Sequence, residues 1–366
     1  MILSLITFIL VLGILVLVHE FGHFIVAKWS GMRVDEFAIG FPPYIIGIKK
    51  GETLYAINAL PLGGYVRIHG ENPEADAADP DPRSFQSRSI WARIAVIVAG
   101  VFMNLLFAFV VLTIAFSVGF SSVAQDLTTV PGATVLHNRV IVLPEKSSPA
   151  DQAGLKEGDV VTAVTNLTTN EVKNISVAQD LQTEVKDLQA ANQLNVKVDY
   201  TRDGAADSKT VALAATGPGL GVQLYQDALV RVPVWRAPGI AIKEVGFIAN
   251  VTWQALKGFG TQLFGHGHLD QSVSGPIGIY QATASATHEG FAAVVFLMVA
   301  LSINLALLNI LPIPALDGGK LLFIILGAIF SRKVITNRLE SIVTATGFSL
   351  VILLIIVLSV RDLTRL

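Results

Sequence analysis

The apolar residues of this chain fall in a pattern that leaves few folds open. They gather in four blocks, Met1 to Val26, Ile90 to Phe120, Phe291 to Leu311 and Phe348 to Val360, and between the second and third blocks the sequence reads as soluble. The first block runs on past His19 and Glu20 to Ala27, more than the roughly 20 residues that cross a ~30 Å hydrocarbon core. Overall 52% of the 366 residues are hydrophobic and 15% charged, so the expectation is a membrane protein with four spans. Met1 to Val18 carries no charge and no Lys or Arg precedes it. The positive n-region of a signal peptide is therefore missing, and the first span is expected to be retained.

Composition also removes function classes. A formal net charge of -2, without a basic stripe of interleaved aromatics, sets nucleic-acid binding aside. There is no cysteine, so any metal must be held by His, Asp or Glu.

Orientation is read from Lys and Arg beside the spans. The loop after the first span holds Lys28, Arg33, Lys49, Lys50, Arg67, Arg83, Arg88 and Arg93, which predicts an outside N-terminus and an inside loop. Four spans then put Lys320 to Arg338 in the cytoplasm, and its Lys320, Arg332, Lys333 and Arg338 agree. Arg361 and Arg365 pull weakly the other way.

The expected segments are a first span over 1–27, a cytosolic loop over 28–89, a second span over 90–120, a soluble domain over 131–226, an interfacial helix over 234–265, and spans over 290–319 and 345–361. Within the loop, Tyr44 to Ile48, Leu54 to Ala59 and Gly64 to Ile68 alternate like short strands. Glu71 to Arg83, acidic and rich in proline, reads as a connector. The soluble domain offers strands at Arg139 to Leu143, Val160 to Val164, Leu194 to Tyr200 and Thr210 to Leu213. In the interfacial helix, Val245, Ile248, Thr252, Leu256, Phe259 and Leu263 share one face, and Trp235 and Trp253 suit the headgroup layer.

The chemistry begins at His19-Glu20-Phe21-Gly22-His23, an H-E-x-x-H motif. On a helix, positions i and i+4 share a face, so both imidazoles can reach one zinc ion while Glu20 serves as general base toward the attacking water. Ionisable groups inside a span each cost about 2.5–3.5 kcal/mol on insertion scales, a cost that a bound metal can offset. A polar helix end at the membrane surface is the bland alternative. A third ligand is needed, and the stretch Asn309-Ile310-Leu311-Pro312-Ile313-Pro314-Ala315-Leu316-Asp317-Gly318-Gly319 offers Asp317 on the same predicted side of the membrane. Pro312 and Pro314 break the helix just where a carboxylate must turn inward. Asn104 is a further polar group in the second span, and a lone intramembrane Asn more often bonds a neighbouring helix.

H-E-x-x-H in the first span with N-x-x-P-x-P-x-L-D-G late in the chain resembles the bacterial site-2 protease family. The soluble insert is similar to a PDZ domain through Ser148 to Asp159 and through Gly219-Leu220-Gly221-Val222, although an ordinary strand end also explains the latter. The resemblance implies a membrane all-α protein of four transmembrane helices with one inserted α+β PDZ-like domain and a small cytosolic membrane-associated β segment. It implies one Zn2+ per chain on His19, His23 and Asp317, with Glu20 catalytic and Asn309 holding the substrate backbone. Asn104 matches the family's Asn, expected near substrate, but the Gly-Pro that commonly precedes it reads Gly100-Val101 here. Gly219, Leu220, Gly221 and Val222 would capture peptide C-termini. Gly40 to Pro43, Pro61 to Arg67 and Ser274 to Gly278 also resemble family segments, and a turn explains the last equally well.

The implied activity is intramembrane hydrolysis of single-span substrates such as anti-sigma factors or remnant signal peptides. The implied location is a bacterial inner membrane, with the active site near the cytoplasmic face and the PDZ-like domain outside. Two rival readings stand beside this one, a non-catalytic PDZ scaffold in the lipid and a metal transporter. The first predicts that Glu20→Gln keeps all function, and the second predicts metal flux. His69, His137, His266, His268 and His288 lack a ligand set and receive no function.

Overall fold

The computed structural model describes residues 2–71, 81–202, 204–265, 275–330 and 337–364. Most of the connector expected between Glu71 and Arg83 lies outside the described residues, as do His266, His268, Ser274, Arg332, Lys333, Arg365 and the side chain of Arg338. In chain order the first elements are α1 (Ile2–Trp29), β1 (Val34–Lys50), β2 (Thr53–Ile68) and α2 (Ile90–Val118). The middle of the chain forms β3 (Thr134–Pro144), α3 (Pro149–Gln152), β4 (Asp159–Asn166), β5 (Val172–Asn174), α4 (Ala178–Ala190), β6 (Asn195–Arg202), β7 (Ala205–Ala212) and β8 (Val222–Arg231). Five helices follow, α5 (Ala237–Gly265), α6 (Pro276–Glu289), α7 (Phe291–Ile310), α8 (Asp317–Ile329) and α9 (Asn337–Leu363). The chain divides into two compact units, one of Met1–Thr113 with Pro238–Leu366 and one of Ile114–Ala237.

In the first unit, four helices are long and apolar enough to cross a membrane: α1, α2, α7 and, over Leu339–Leu363, α9. Their outer faces carry large apolar side chains that are exposed among the described residues, such as Ile2, Leu10, Phe102, Leu353 and Ile356. Lipid is the natural solvent for such a surface. α1 stops where Gly31 takes a left-handed conformation (φ 68°) and the N–H of Met32 donates back to Ala27 O at 2.9 Å, a glycine-terminated helix end. α1 and α2 approach closely, since a Cβ added to Gly22 would lie 2.4 Å from Ala99 O. At their base Ala27, Met32, Val34, Ile68, Phe85, Val96, Ile97 and Ile324 form a shared apolar core, which fixes the strand pair and α8 against the two helices.

The strand pair is longer and more folded than three short alternating runs suggested. Residues of β1 pair twice with β2: Glu36 with both Leu54 and Arg67, Phe37 with both Tyr55 and Val66. The ribbon therefore forms four rungs in the order Tyr44–Lys50, Thr53–Leu60, Val34–Phe41 and Gly64–Ile68, leaving Gly64–Ile68 as one edge. Tyr44, Ile46 and Ile48 on the opposite edge are exposed.

α7 ends at Ile310, ahead of Pro312 and Pro314. Ala315 adopts φ 83°, and Asp317 opens α8 as its first residue. The turn is tight because Gly318 and Gly319 lie under the preceding carbonyls, where added Cβ atoms would stand 2.0 Å from Leu311 O and 2.4 Å from Ile313 O. α5 buries a stripe of Ala237, Ile240, Ala241, Glu244 and Ile248, and Thr252 on the same side donates to Asn304 Oδ1 of α7 at 2.6 Å. The helical face read through Val245, Ile248 and Thr252 did not include Glu244, a fully buried acid in that stripe. The carboxylate of Asp362, on α9, accepts from the N–H groups of Gly275 and Gly278 and so satisfies the N-terminus of α6.

The second unit has its own core. Its antiparallel sheet runs β7-β6-β4-β3-β8, with β5 paired to β4. Val140 and Val142, and Val196 and Val198, alternate inward from β3 and β6, Val161 and Val164 join them from β4 on either side of a register shift between Val161 and Ala163, and Leu181, Val185 and Leu188 close the core from α4. Arg202 grips the buried Asp159 through two contacts of 2.7 Å, so the acid is paired where it is desolvated.

Candidate metal centre

Helical spacing sets His19 and His23 on one face of α1, with ring centroids 4.8 Å apart and near-perpendicular planes. Both are buried. The α7–α8 turn delivers Asp317 to the same point. Its Oδ2 lies 2.9 Å from His19 Nε2 and 3.3 Å from His23 Nε2, and the two Nε2 atoms are 3.2 Å apart. Among the described residues this is the one group of three or more His, Asp or Glu side chains whose ligand atoms converge, all within 4.8 Å of one another.

Zinc fits this donor set. Tetrahedral ligation by N and O at about 2.0–2.2 Å puts ligand atoms roughly 3.3–3.5 Å from one another, and the three observed separations need to open only slightly. The far ring nitrogens are also held as such a site requires. His23 Nδ1 lies 2.8 Å from Val96 O, so it carries the proton and donates it there, which leaves Nε2 as the lone-pair donor. His19 Nδ1 stands 3.2 Å from the side-chain amide of Asn104. Between the imidazoles, Gly100 of α2 makes the packing possible, because a Cβ there would lie 2.4 Å from His23 Nε2 and 2.7 Å from His19 Cε1.

The profile of peptidase family M50 matches residues 7–354. The chain belongs to this family. Two relatives of near-equal span agree with the M50 assignment: a protein of Nostoc sp. strain PCC 7120 named "putative zinc metalloprotease", 33% identical over 99% of this chain and 96% of its own, and one of the same description from Clostridium perfringens, 33% identical over 95% of each. Zinc metalloprotease RasP of Shouchella clausii is 28% identical over 99% of both chains. This M50 chain is thus an integral membrane zinc metallopeptidase.

The other residues singled out from the sequence divide between the two units. Glu20, on α1 beside His19, has Oε2 accepting from the N–H of Val66 at 3.1 Å, so the edge rung Gly64–Ile68 touches the site. Asn309 places its side-chain amide 3.2 Å from His19 Nε2. Gly219, Leu220, Gly221 and Val222 belong to the second unit, where they lead into β8. Both glycines have positive φ, at 42° and 66°, and Leu220 is a core residue. The N–H of Gly221 donates to Pro218 O, and the carbonyls of Leu220 and Gly221 accept from Ala150 and Glu145.

Sequence reading did not single out Val96, Gly100 or Val66 as parts of the site. Val96 and Val66 act through backbone atoms, which no residue type announces. Gly100 and Asn104 did leave a signal, four residues apart on one face of a span.

Charge is organised outside the spans as well. Lys28 and Arg83 both grip Glu52, at 2.9 and 2.7 Å, and Arg83 and Arg33 reach Asp81. The Lys28 hydrogen bond leads in lowering the Glu52 carboxyl below its ordinary range. The backbone N–H and guanidinium of Arg83 hold Asp81 down to about 2.

Proposed function

We propose that this metallopeptidase cuts peptide bonds within the membrane, in single-span protein substrates, with His19, His23 and Asp317 as zinc ligands. The supporting observation is the convergence of their three donor atoms at one buried point served by α1, a helix long and apolar enough to span. Bound zinc supplies Lewis acidity, polarising a carbonyl oxygen and lowering the pKa of water at the position that three protein ligands leave open. Glu20 takes the proton from the attacking water and passes it to the departing amide nitrogen. The Asn309 side-chain N–H, on the same side of His19 as the ligand cluster, donates to the substrate backbone. A helical substrate must open before it can be attacked, and the edge rung Gly64–Ile68 offers it a strand to pair with, since the Val66 N–H already faces Glu20.

The topology follows the Lys and Arg distribution. The N-terminus lies outside, the β1–β2 loop and the α7–α8 side of the site lie at the cytoplasmic face of a bacterial inner membrane, and α5 lies along the interface. Residues 131–226 then form an outside PDZ-like domain that takes peptide C-termini at Gly219–Val222 or screens substrates by size. Anti-sigma factors and remnant signal peptides are the substrate types that fit such a filter.

Zinc content measured together with cleavage of a model single-span substrate tests the reading. Glu20→Gln should keep one zinc per chain and lose about 10²–10⁴-fold in rate, while Asp317→Asn should lose the metal. Cleavage that survives Glu20→Gln would favour a scaffold, and zinc flux into vesicles would favour a transporter.

A further inference from the structure

α2 crosses the site with three positions on one face, Val96, Gly100 and Asn104, spaced four residues apart. Val96 gives its carbonyl to His23 Nδ1, and Gly100 leaves room for both rings. Asn104 remains, and family resemblance set it near substrate. Its geometry points elsewhere. It is fully buried, its side-chain amide meets His19 on the Nδ1 side, opposite the ligand atoms, and its Oδ1 has no hydrogen-bond partner among the described residues.

A ligating His19 must offer a lone pair at Nε2, so its proton resides on Nδ1 and needs an acceptor. Turning the Asn104 amide about its last torsion exchanges two atoms of similar shape and places Oδ1 on that proton. One rotation thus satisfies the orphaned buried oxygen and fixes the ligating tautomer. The backbone of Asn104 is held separately, because Ser302 Oγ on α7 donates to its carbonyl at 2.9 Å.

We propose that Asn104 is a positioning residue of the zinc centre: its side-chain oxygen accepts the His19 Nδ1 proton and so presents Nε2 to the metal, as the Val96 carbonyl does for His23. This rests on the reading of His19, His23 and Asp317 as the ligands. α2 then contributes no ligand, yet sets the tautomer of both imidazoles.

Zinc affinity of the purified full chain, measured by chelator competition, tests this apart from activity. Asn104→Leu, similar in size but without an acceptor, should bind zinc about 10–100-fold more weakly. Asn104→Asp keeps an oxygen on Nδ1 and should bind at least as tightly as the wild type. Ser302→Ala, which loosens the α2–α7 contact without touching an imidazole, should stay within about threefold. Thermal unfolding of the metal-free proteins separates lost folding from lost affinity. Should Asn104→Asp fail to fold, Asn104→Leu against Ser302→Ala decides alone. Equal affinity in wild type and Asn104→Leu, or equal loss in the Leu and Asp variants, would overturn the role. A wild type without stoichiometric zinc would instead overturn the ligand assignment beneath it.

Discussion

At the scale of single residues, the site depends as much on missing atoms as on the donors. Gly100 has two imidazoles where a side chain would be, whereas Gly13 of α1 has open space around it. Gly100→Ala should therefore push His23 off its position, cutting zinc occupancy by more than half and costing about 1–3 kcal/mol in overpacking. Gly13→Ala should leave both unchanged, and metal analysis beside thermal unfolding reads the contrast. The polar donors were legible in the sequence because an acid and two histidines have no ordinary reason to sit in an apolar run, and the Pro and Gly around Asp317 announce a turn. What stayed hidden was made of backbone: the Val96 carbonyl, the Val66 N–H and the clearance over Gly100 exist only once α1, α2 and β2 are packed.

At the scale of elements, β1 and β2 show how local pattern and fold diverge. Alternation picked out three short strands, but pairing Glu36 with both Leu54 and Arg67 depends on three chain reversals that a period-2 reading does not carry. The ribbon is tied to the end of α1 by Lys28, Glu52, Arg83 and Asp81. Glu52 and Asp81 have lowered pKa values in the folded protein, so their contribution is present above the ordinary carboxylate range near pH 4 and is lost as pH falls, for Asp81 through about 2. Hydrogen exchange of peptides covering Thr53–Ile68, corrected for intrinsic rates, should accelerate in that acid window. Glu52→Gln with Asp81→Asn should show the acceleration already at pH 7, and protection equal to wild type at pH 7 would speak against this tie.

At the scale of the whole molecule, two units with separate cores share one chain. Four helices long and apolar enough to span were legible as four apolar blocks, and between the second and third of them the chain forms a separate compact unit. The last helix was underestimated: the block Phe348 to Val360 continues as a helix back to Asn337, through Thr344, Thr346 and Gly347, which dilute its hydropathy. If residues 131–226 screen substrates by size, replacing them with a short linker should allow cleavage of a single-span substrate that still carries its bulky outside domain. Continued resistance of that substrate would remove the filter from the reading while leaving the active site intact.

Zinc-edge X-ray absorption on the purified full chain bears most directly on the centre itself. Ligation by His19, His23 and Asp317 predicts one ion per chain, with two imidazoles and light oxygen neighbours at about 2.0–2.2 Å, and loss of that spectrum in His23→Ala. A protein without stoichiometric zinc, or a spectrum unchanged by His23→Ala, would contradict it.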